Sequence, residues 1–338
     1  MKGFFWIVFC AVLLGFSLLI SMGMGRYDIP LDKLVAFLFN DIFGIGARPE
    51  DADLYSNIIF DIRMPRILAA MMVGAALAVS GGAYQAMFVN PLVSPGILGV
   101  LAGASFGAAL GIMVSENWFF VQMSAFVFGF AAVFVALGVA MIYKDASSKT
   151  ILLVLGGVIS SALFSALLSV VKYTADPYNK LPAIVYWLMG SFGAVDKSTT
   201  FTVFAPMLVG IFVLTAMGKY LNVLSLGDDD AKALGVRVEL VRISAIFFAT
   251  LISALTVVVA GMIGWVGLII PHIARFLVGP NNRILIPMCA LLGAAFLVIV
   301  DTVCRTAMSV EIPVGIATSL IGIPIFILAL KGAKKGFA

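Results

Sequence analysis

Nine apolar stretches of about twenty residues each recur along this chain of 338 residues, and no other feature restricts its fold so sharply. In hydrocarbon every backbone N–H and C=O must find a partner within the protein, which leaves helices or closed barrels as spanning structures. Barrel strands alternate in polarity over about ten residues, whereas these runs are continuous, the pattern of a helix bundle. They fall near residues 3–22, 67–88, 93–113, 118–143, 151–171, 201–222, 243–262, 284–303 and 313–331. Residues 264–278 are also apolar but are interrupted by Pro271, His272 and Arg275, and read as a short or broken tenth span. Residues 181–193 are too short to cross and read as a helix lying on or dipping into the outer surface. With 62% apolar and only 11% charged residues, against about 25% charged in soluble domains, the expected fold is all-α. It is a single polytopic membrane domain over 1–338 with about ten transmembrane helices.

The first run resembles a secretory signal only in position. Its apolar core is too long, and no small-x-small site closes it, so it reads as the first span. An N-terminus on the cytoplasmic side puts Lys2, Lys144, Lys149, Lys219, Lys232, Arg237, Arg242, Arg275, Arg283, Lys331, Lys334 and Lys335 inside. That set is twelve of the 21 basic residues, and only five of the 17 acidic residues, Asp145, Asp228, Asp229, Asp230 and Glu239, join it. The positive-inside rule selects this orientation, with both termini cytoplasmic.

Between the sixth and seventh spans lies the one long polar insertion, about 223–242, which this topology makes cytoplasmic. Gly227 interrupts the preceding segment, and Asp228, Asp229 and Asp230 supply acceptors and negative charge where a helix starts. Ala231 to Leu234 propagate it, and Gly235 suits a left-handed stop. The predicted product is a helix of about two turns, too short to stand alone, followed by a second short amphipathic piece over 236–241.

Glycines at 103, 107 and 111 have the small-xxx-small spacing that lets membrane helices approach closely. Gly81 with Pro91 and Gly261 with Pro271 share a ten-residue gap at an offset of 180, which would suit a transporter built from repeats. Arg63 and Arg66 in D-I-R-M-P-R lie three apart, on one helical face, with Pro65 fit for a first turn, and Arg305 ends the ninth span on the same side. They suit either snorkelling to headgroups or docking of a carboxylate-bearing protein.

The absences are equally directive. A single histidine, His272, excludes H-E-x-x-H zinc and bis-histidine haem sites. No G-x-S-x-G frame accompanies it, and no G-x-x-x-x-G-K-[ST] loop cradles a phosphate. Cys10, Cys289 and Cys304 have neither metal-like nor disulfide-like spacing, and the scattered basic residues make no nucleic-acid patch. No cofactor is expected in the chain. The spans hold no ionisable group beyond Asp301, near an outer end, so an ion-coupled secondary transporter is the weaker reading and energy is expected from a partner.

Several longer motifs carry a family resemblance. They are R-M-P-R at 63–66, G-A-A-L-A-V-S-G-G-A-Y-Q-A-M-F-V-N-P-L-V-S-P-G-I-L-G at 74–99, and G-D-D-D-A-K-A-L-G at 227–235. G-W-V-G-L-I-I-P-H-I-A-R at 264–275 and I-P-V-G-I-A-T-S-L-I-G-I-P-I-F at 312–326 complete the set. The chain resembles FecCD-type permeases, the membrane subunits of bacterial ABC importers for iron-siderophores, haem or vitamin B12. The resemblance implies a non-enzymatic inner-membrane subunit that pairs with a second permease chain, identical or related, within the lipid. Two cytoplasmic ATPases would bind ATP and Mg, and an extracytoplasmic binding protein would deliver the substrate. Gly227, Asp228, Asp229, Asp230, Ala231, Leu234 and Gly235 match the family's ATPase-coupling loop. Arg63, Arg66 and Arg305 fall where the family receives glutamates of the binding protein. An iron-siderophore is the first-ranked cargo, with haem, cobalamin and oxyanions such as molybdate as alternatives.

Overall fold

The computed structural model of the protein describes residues 2–45, 51–142 and 149–333. Lys144, Asp145, Lys334 and Lys335, used above to orient the chain, lie outside the described residues. Helix α1 (Lys2–Gly23) leads to α2 (Leu31–Phe43) and to a short α3 (Ala52–Ser56), which runs through a π-helical stretch (Asn57–Arg63) into α4 (Met64–Met87). A 3₁₀ turn (Pro95–Leu98) precedes α5 (Val100–Val114), α6 (Trp118–Ile142), α7 (Lys149–Thr174) and α8 (Lys180–Leu188). Then come α9 (Lys197–Ala216), α10 (Gly218–Leu224), α11 (Asp228–Ala233) and α12 (Val238–Ala260). The chain closes with α13 (Val266–Val278), α14 (Asn282–Thr306) and α15 (Val314–Ala333).

The fold is all-α, with no strand among the described residues. Among the described residues, seven helices are long and apolar enough to cross a membrane: α1, the α3–α4 unit, α6, α7, α9, α12 and α14. Shorter apolar helices, α5, α13 and α15, fill the positions of the remaining expected spans. Three expectations need correction. The run at 201–222 is two helices, because the chain turns at Met217. Residues 238–241 are the first turn of α12 rather than a separate piece. Gly81 lies within α4 and Pro91 in a turn, whereas Gly261 lies in a turn and Pro271 within α13, so the 180-residue echo does not pair like with like.

α4 is the axis of the bundle: 89% of its most apolar window is buried, against 11% for α1. Helices in lipid gain little from apolar burial against one another, so close approach must come from small residues. At Gly74 the α4 backbone meets α14, where a Cβ would lie 2.2 Å from the Gly293 carbonyl oxygen. Two turns on, a Cβ at Gly81 would lie 1.8 Å from the Gly267 carbonyl oxygen of α13. The Gly103 and Gly107 face of α5 packs on α6 in the same way, against the Phe128 and Ser124 carbonyls, with Ser124 Oγ donating to Gly107 O at 2.6 Å.

Gly81→Ala is therefore expected to destabilise the protein by about 1–3 kcal/mol through overpacking. Gly138→Ala on α6, where a Cβ meets nothing within 4 Å, leaves the midpoint unchanged or higher. Thermal unfolding of the two purified variants checks this, and equal midpoints would remove the crossing from the account.

Candidate functional site

Two ends of the bundle carry the polar structure. At one end, α10 and α11 form a prong seated on the tips of other helices. The Asn222 side chain donates to Asn281 Oδ1 at 2.7 Å and accepts from the Asn282 N–H at 2.7 Å, which ties α10 to the start of α14. Ser225 Oγ donates to Ala86 O at 3.3 Å, near the end of α4. Gly227 has φ 104, a value suited to glycine, and α11 follows at once. Its C-terminus is a Schellman motif: Gly235, at φ 77, donates to Lys232 O at 2.9 Å, and Val236 N donates to Ala231 O at 3.1 Å.

The seven residues assigned to this prong divide by role. Ala231 is fully buried, packing the prong onto its seat. Asp228 does not cap its helix; its carboxylate accepts from Arg242 Nη2 of α12 at 2.5 Å, and Arg242 is 4% exposed. Asp229, Asp230 and Leu234 face outward, with Leu234 63% exposed, and Leu226 and Leu240 are exposed near them. The result is a short apolar and acidic surface on a base braced by an ion pair between buried Arg242 and part-exposed Asp228. Arg242 was legible only as an inner-side charge, since its partner lies fourteen residues away in sequence.

At the opposite end, three arginines converge, though not as exposed cations. Arg63 is 5% exposed, and its guanidinium donates to the carbonyls of Met22, Gly23 and Tyr27, closing the C-terminus of α1. Arg305 is 8% exposed and donates to Ser21 O and Ser21 Oγ. Arg66 pairs with Asp301 at 2.9 Å and Glu311 at 2.9 Å. The donors of all three guanidiniums are directed to acceptors within the chain. The sequence shows Asp301 as an isolated charge in a span, and the structure makes it the anion shared by Arg66 and, at 3.8 Å, Arg305.

Beside this cluster opens a cavity of about 1090 Å³. Trp118, Tyr186 and Trp187 give it aromatic walls, and Glu116, Asp176 and Glu311 outnumber Arg26 and Lys180 among its charges. The Tyr178 N–H and the Asn179 side chain and N–H hold Asp176 below the usual carboxylate range. Part of the wall is a three-way backbone junction after α8, the helix that the 181–193 stretch forms. Ser191 N donates to Ala260 O at 2.9 Å, Val314 N to Gly190 O at 2.9 Å, and Gly315 N to Met189 O at 3.1 Å. His272 lies elsewhere, 8% exposed, with its ring edge-on to Phe276 and Phe326, and no cluster of metal-ligating residues occurs among the described residues.

Residues 13–331 match the FecCD transport family. The chain belongs to this family. It is 39% identical over 325 residues to the molybdate import system permease protein MolB of Haemophilus influenzae, covering 96% of this chain and 95% of that one. A probable iron chelatin transport system permease protein of Helicobacter pylori is 38% identical over 83% of this chain and 84% of its own length. The vitamin B12 import system permease protein BtuC of Salmonella typhi is 37% identical over 82% and 84%. A solved chain of a metal-chelate type ABC transporter in an inward-facing conformation superposes with TM-score 0.85 at 38% identity, covering 96% of this chain and 98% of that one. FecCD proteins are permease subunits of ABC importers, which work as dimers with separate ATPases and a binding protein. This chain is accordingly a multi-pass inner-membrane transport subunit and not an enzyme.

Asp301→Ala removes the anion shared by two largely buried guanidiniums and is expected to cost about 3–5 kcal/mol. Glu311→Gln, at a side chain 31% exposed, costs no more than about 1 kcal/mol. Unfolding midpoints of the two solubilised variants measure the difference, and a neutral Asp301 variant would refute the buried-network account.

Proposed function

We propose that this FecCD permease conducts an iron-siderophore-type chelate, handed over by an extracytoplasmic binding protein at the arginine end and driven by two cytoplasmic ATPases at the prong end. The observation that carries the substrate class is the cavity. About 1090 Å³ is at the upper end of the volumes that enclose drug-sized molecules. A bare tetrahedral oxyanion would remain hydrated in it rather than be gripped. Its aromatic walls suit the apolar faces of a chelate, and its excess of carboxylates opposes an anion. The second reading, an oxyanion such as molybdate, is favoured by the name and 39% identity of the Haemophilus relative. Haem and cobalamin match the cavity by size as a siderophore does. The chain's own partner in the membrane is a second permease, identical or related.

In this reading the prong and both termini are cytoplasmic, in line with the basic residues. Gly227 and Gly235 set the shape of the prong, Ala231 and Asp228 hold it, and Asp229, Asp230 and Leu234 meet the ATPase. At the far end, Arg63 and Arg305 fix the surface that receives the binding protein. Arg66 is the one of the three that an incoming carboxylate reaches, by displacing the part-exposed Glu311.

Uptake into proteoliposomes holding the full transporter decides the cargo. Radiolabelled ferric siderophore is expected to accumulate with ATP, with molybdate neither accumulating nor competing; ATP-driven molybdate uptake indifferent to excess siderophore would overturn the substrate assignment. Coupling has its own check. Leu234→Asp is expected to leave insertion and melting unchanged while reducing substrate-stimulated ATP hydrolysis at least about tenfold, the effect of losing roughly 1.4 kcal/mol of contact. Ala231→Leu, at the buried seat, should lower stability as well. Normal coupling in the Leu234 variant would exclude the prong as the contact.

A further inference from the structure

Helix α2 is not accounted for by transport, and its surface is unusual for a segment outside the spans. One side is a small core of its own: Leu34 and Phe37 pack with Ile29, Ala52, Tyr55 and Ile59. A second side is also apolar and lies open, with Leu31, Val35 and Phe39 exposed by 54%, 41% and 51%. At 100° per residue these three lie within about 80° of one another. Asp32 borders this arc, and Lys33, Ala36 and Asn40 lie beyond it. A helix with one packed face needs no second apolar stripe to fold, so the stripe has another occupant.

We propose that this occupant is the phospholipid bilayer: α2 is an interfacial helix lying along the headgroup boundary, with Leu31, Val35 and Phe39 at the edge of the acyl region. The stripe is continuous with a surface already facing lipid. α1 is a spanning helix whose window is 11% buried, and its exposed residues run through Phe16 and Leu19 to Met24. The first turn of α2 sits directly on the end of α1. Ile29 N donates to Gly23 O at 3.0 Å, and a Cβ on Gly23 would lie 3.6 Å from both Leu31 and Leu34. Tyr27, in the connector, is 47% exposed, a residue type enriched at membrane–water interfaces. Thirteen residues make a rod of about 20 Å, placed where α1 leaves the hydrocarbon. Arg63 binds the carbonyls of Met22, Gly23 and Tyr27 on this same connector. The anchor therefore holds the depth of the segment to which the end of α4 is tied.

Site-directed spin labelling of the full-length protein in phosphatidylethanolamine–phosphatidylglycerol nanodiscs tests this. Single cysteines at positions 31, 35 and 39, and at 33 and 36, carry the nitroxide. The native Cys10, Cys289 and Cys304 are buried and stay in place, with the parent protein as background. The ratio of collision with oxygen to collision with a water-soluble nickel chelate is expected to be several-fold higher at 31, 35 and 39 than at 33 and 36. Equal ratios at all five positions would put the stripe in water and overturn the proposal. Exclusion of both reagents at 35 and 39 would overturn it too, by assigning the face to a protein partner.

Discussion

The bundle depends on backbone meeting backbone where α4 crosses α13 and α14. Lipid tails are as apolar as leucine, so a central helix gains nothing by hiding apolar side chains from them and must earn its place through contact density and polar pairing. Gly74 facing Gly293 and Gly81 facing Gly267 supply the first. The second comes from the far half of α4. The Tyr84 hydroxyl lies 3.1 Å from Thr250 Oγ1, Gln85 Nε2 donates to the Val93 and Leu268 carbonyls, and Gln85 Oε1 accepts from Arg275. One amide side chain thus joins α4, the loop before α5 and α13, with its donors and its acceptor used.

Because α4 and α14 touch so closely midway, they act as one double rod joining the two polar ends. The prong holds one tip of the rod through Ser225 to Ala86 and Asn222 to Asn281 and Asn282. At the other tip, Arg66 of α4 and Arg305 of α14 share Asp301, and Arg63 and Arg305 both bind the last turn of α1. Packed interiors rearrange between discrete arrangements rather than flexing continuously. The two polar ends are therefore joined by one continuous packed unit, and the arginine cluster ties α1 to it.

What the residues disclosed by themselves divides along physical lines. The long apolar runs identify membrane helices because a spanning segment must satisfy its own backbone, a local condition. The prong was legible for the same reason: Gly227, Asp229 and Gly235 act on neighbours within one or two turns, whereas the partner of Asp228 lies fourteen residues on. The inward turn of Arg63, Arg66 and Arg305 was not legible, because their acceptors are 40, 235 and 284 positions away in the chain, and a charge near a helix end looks the same whether it is exposed or folded in. Helix α2 escaped notice because its thirteen residues are too few to span, and a reading by windows of about twenty apolar residues passes over them. The α9–α10 break escaped because Gly218 and Lys219, which follow Met217, are equally compatible with the inner end of an unbroken span.

The junction in the cavity wall is built almost wholly of backbone. Gly190 and Gly261 have φ 73 and 67, and a Cβ on Gly190, Gly261 or Gly315 would come within 2.5 Å of a carbonyl oxygen of the facing segment. Three chain segments therefore meet without side chains between them, sealed by the hydrogen bonds from Ser191, Val314 and Gly315. Each such bond contributes about 0.5–1.5 kcal/mol net, so the three together contribute a few kcal/mol. Greasy side chains interlocked over the same area would hold the segments by dispersion contact instead.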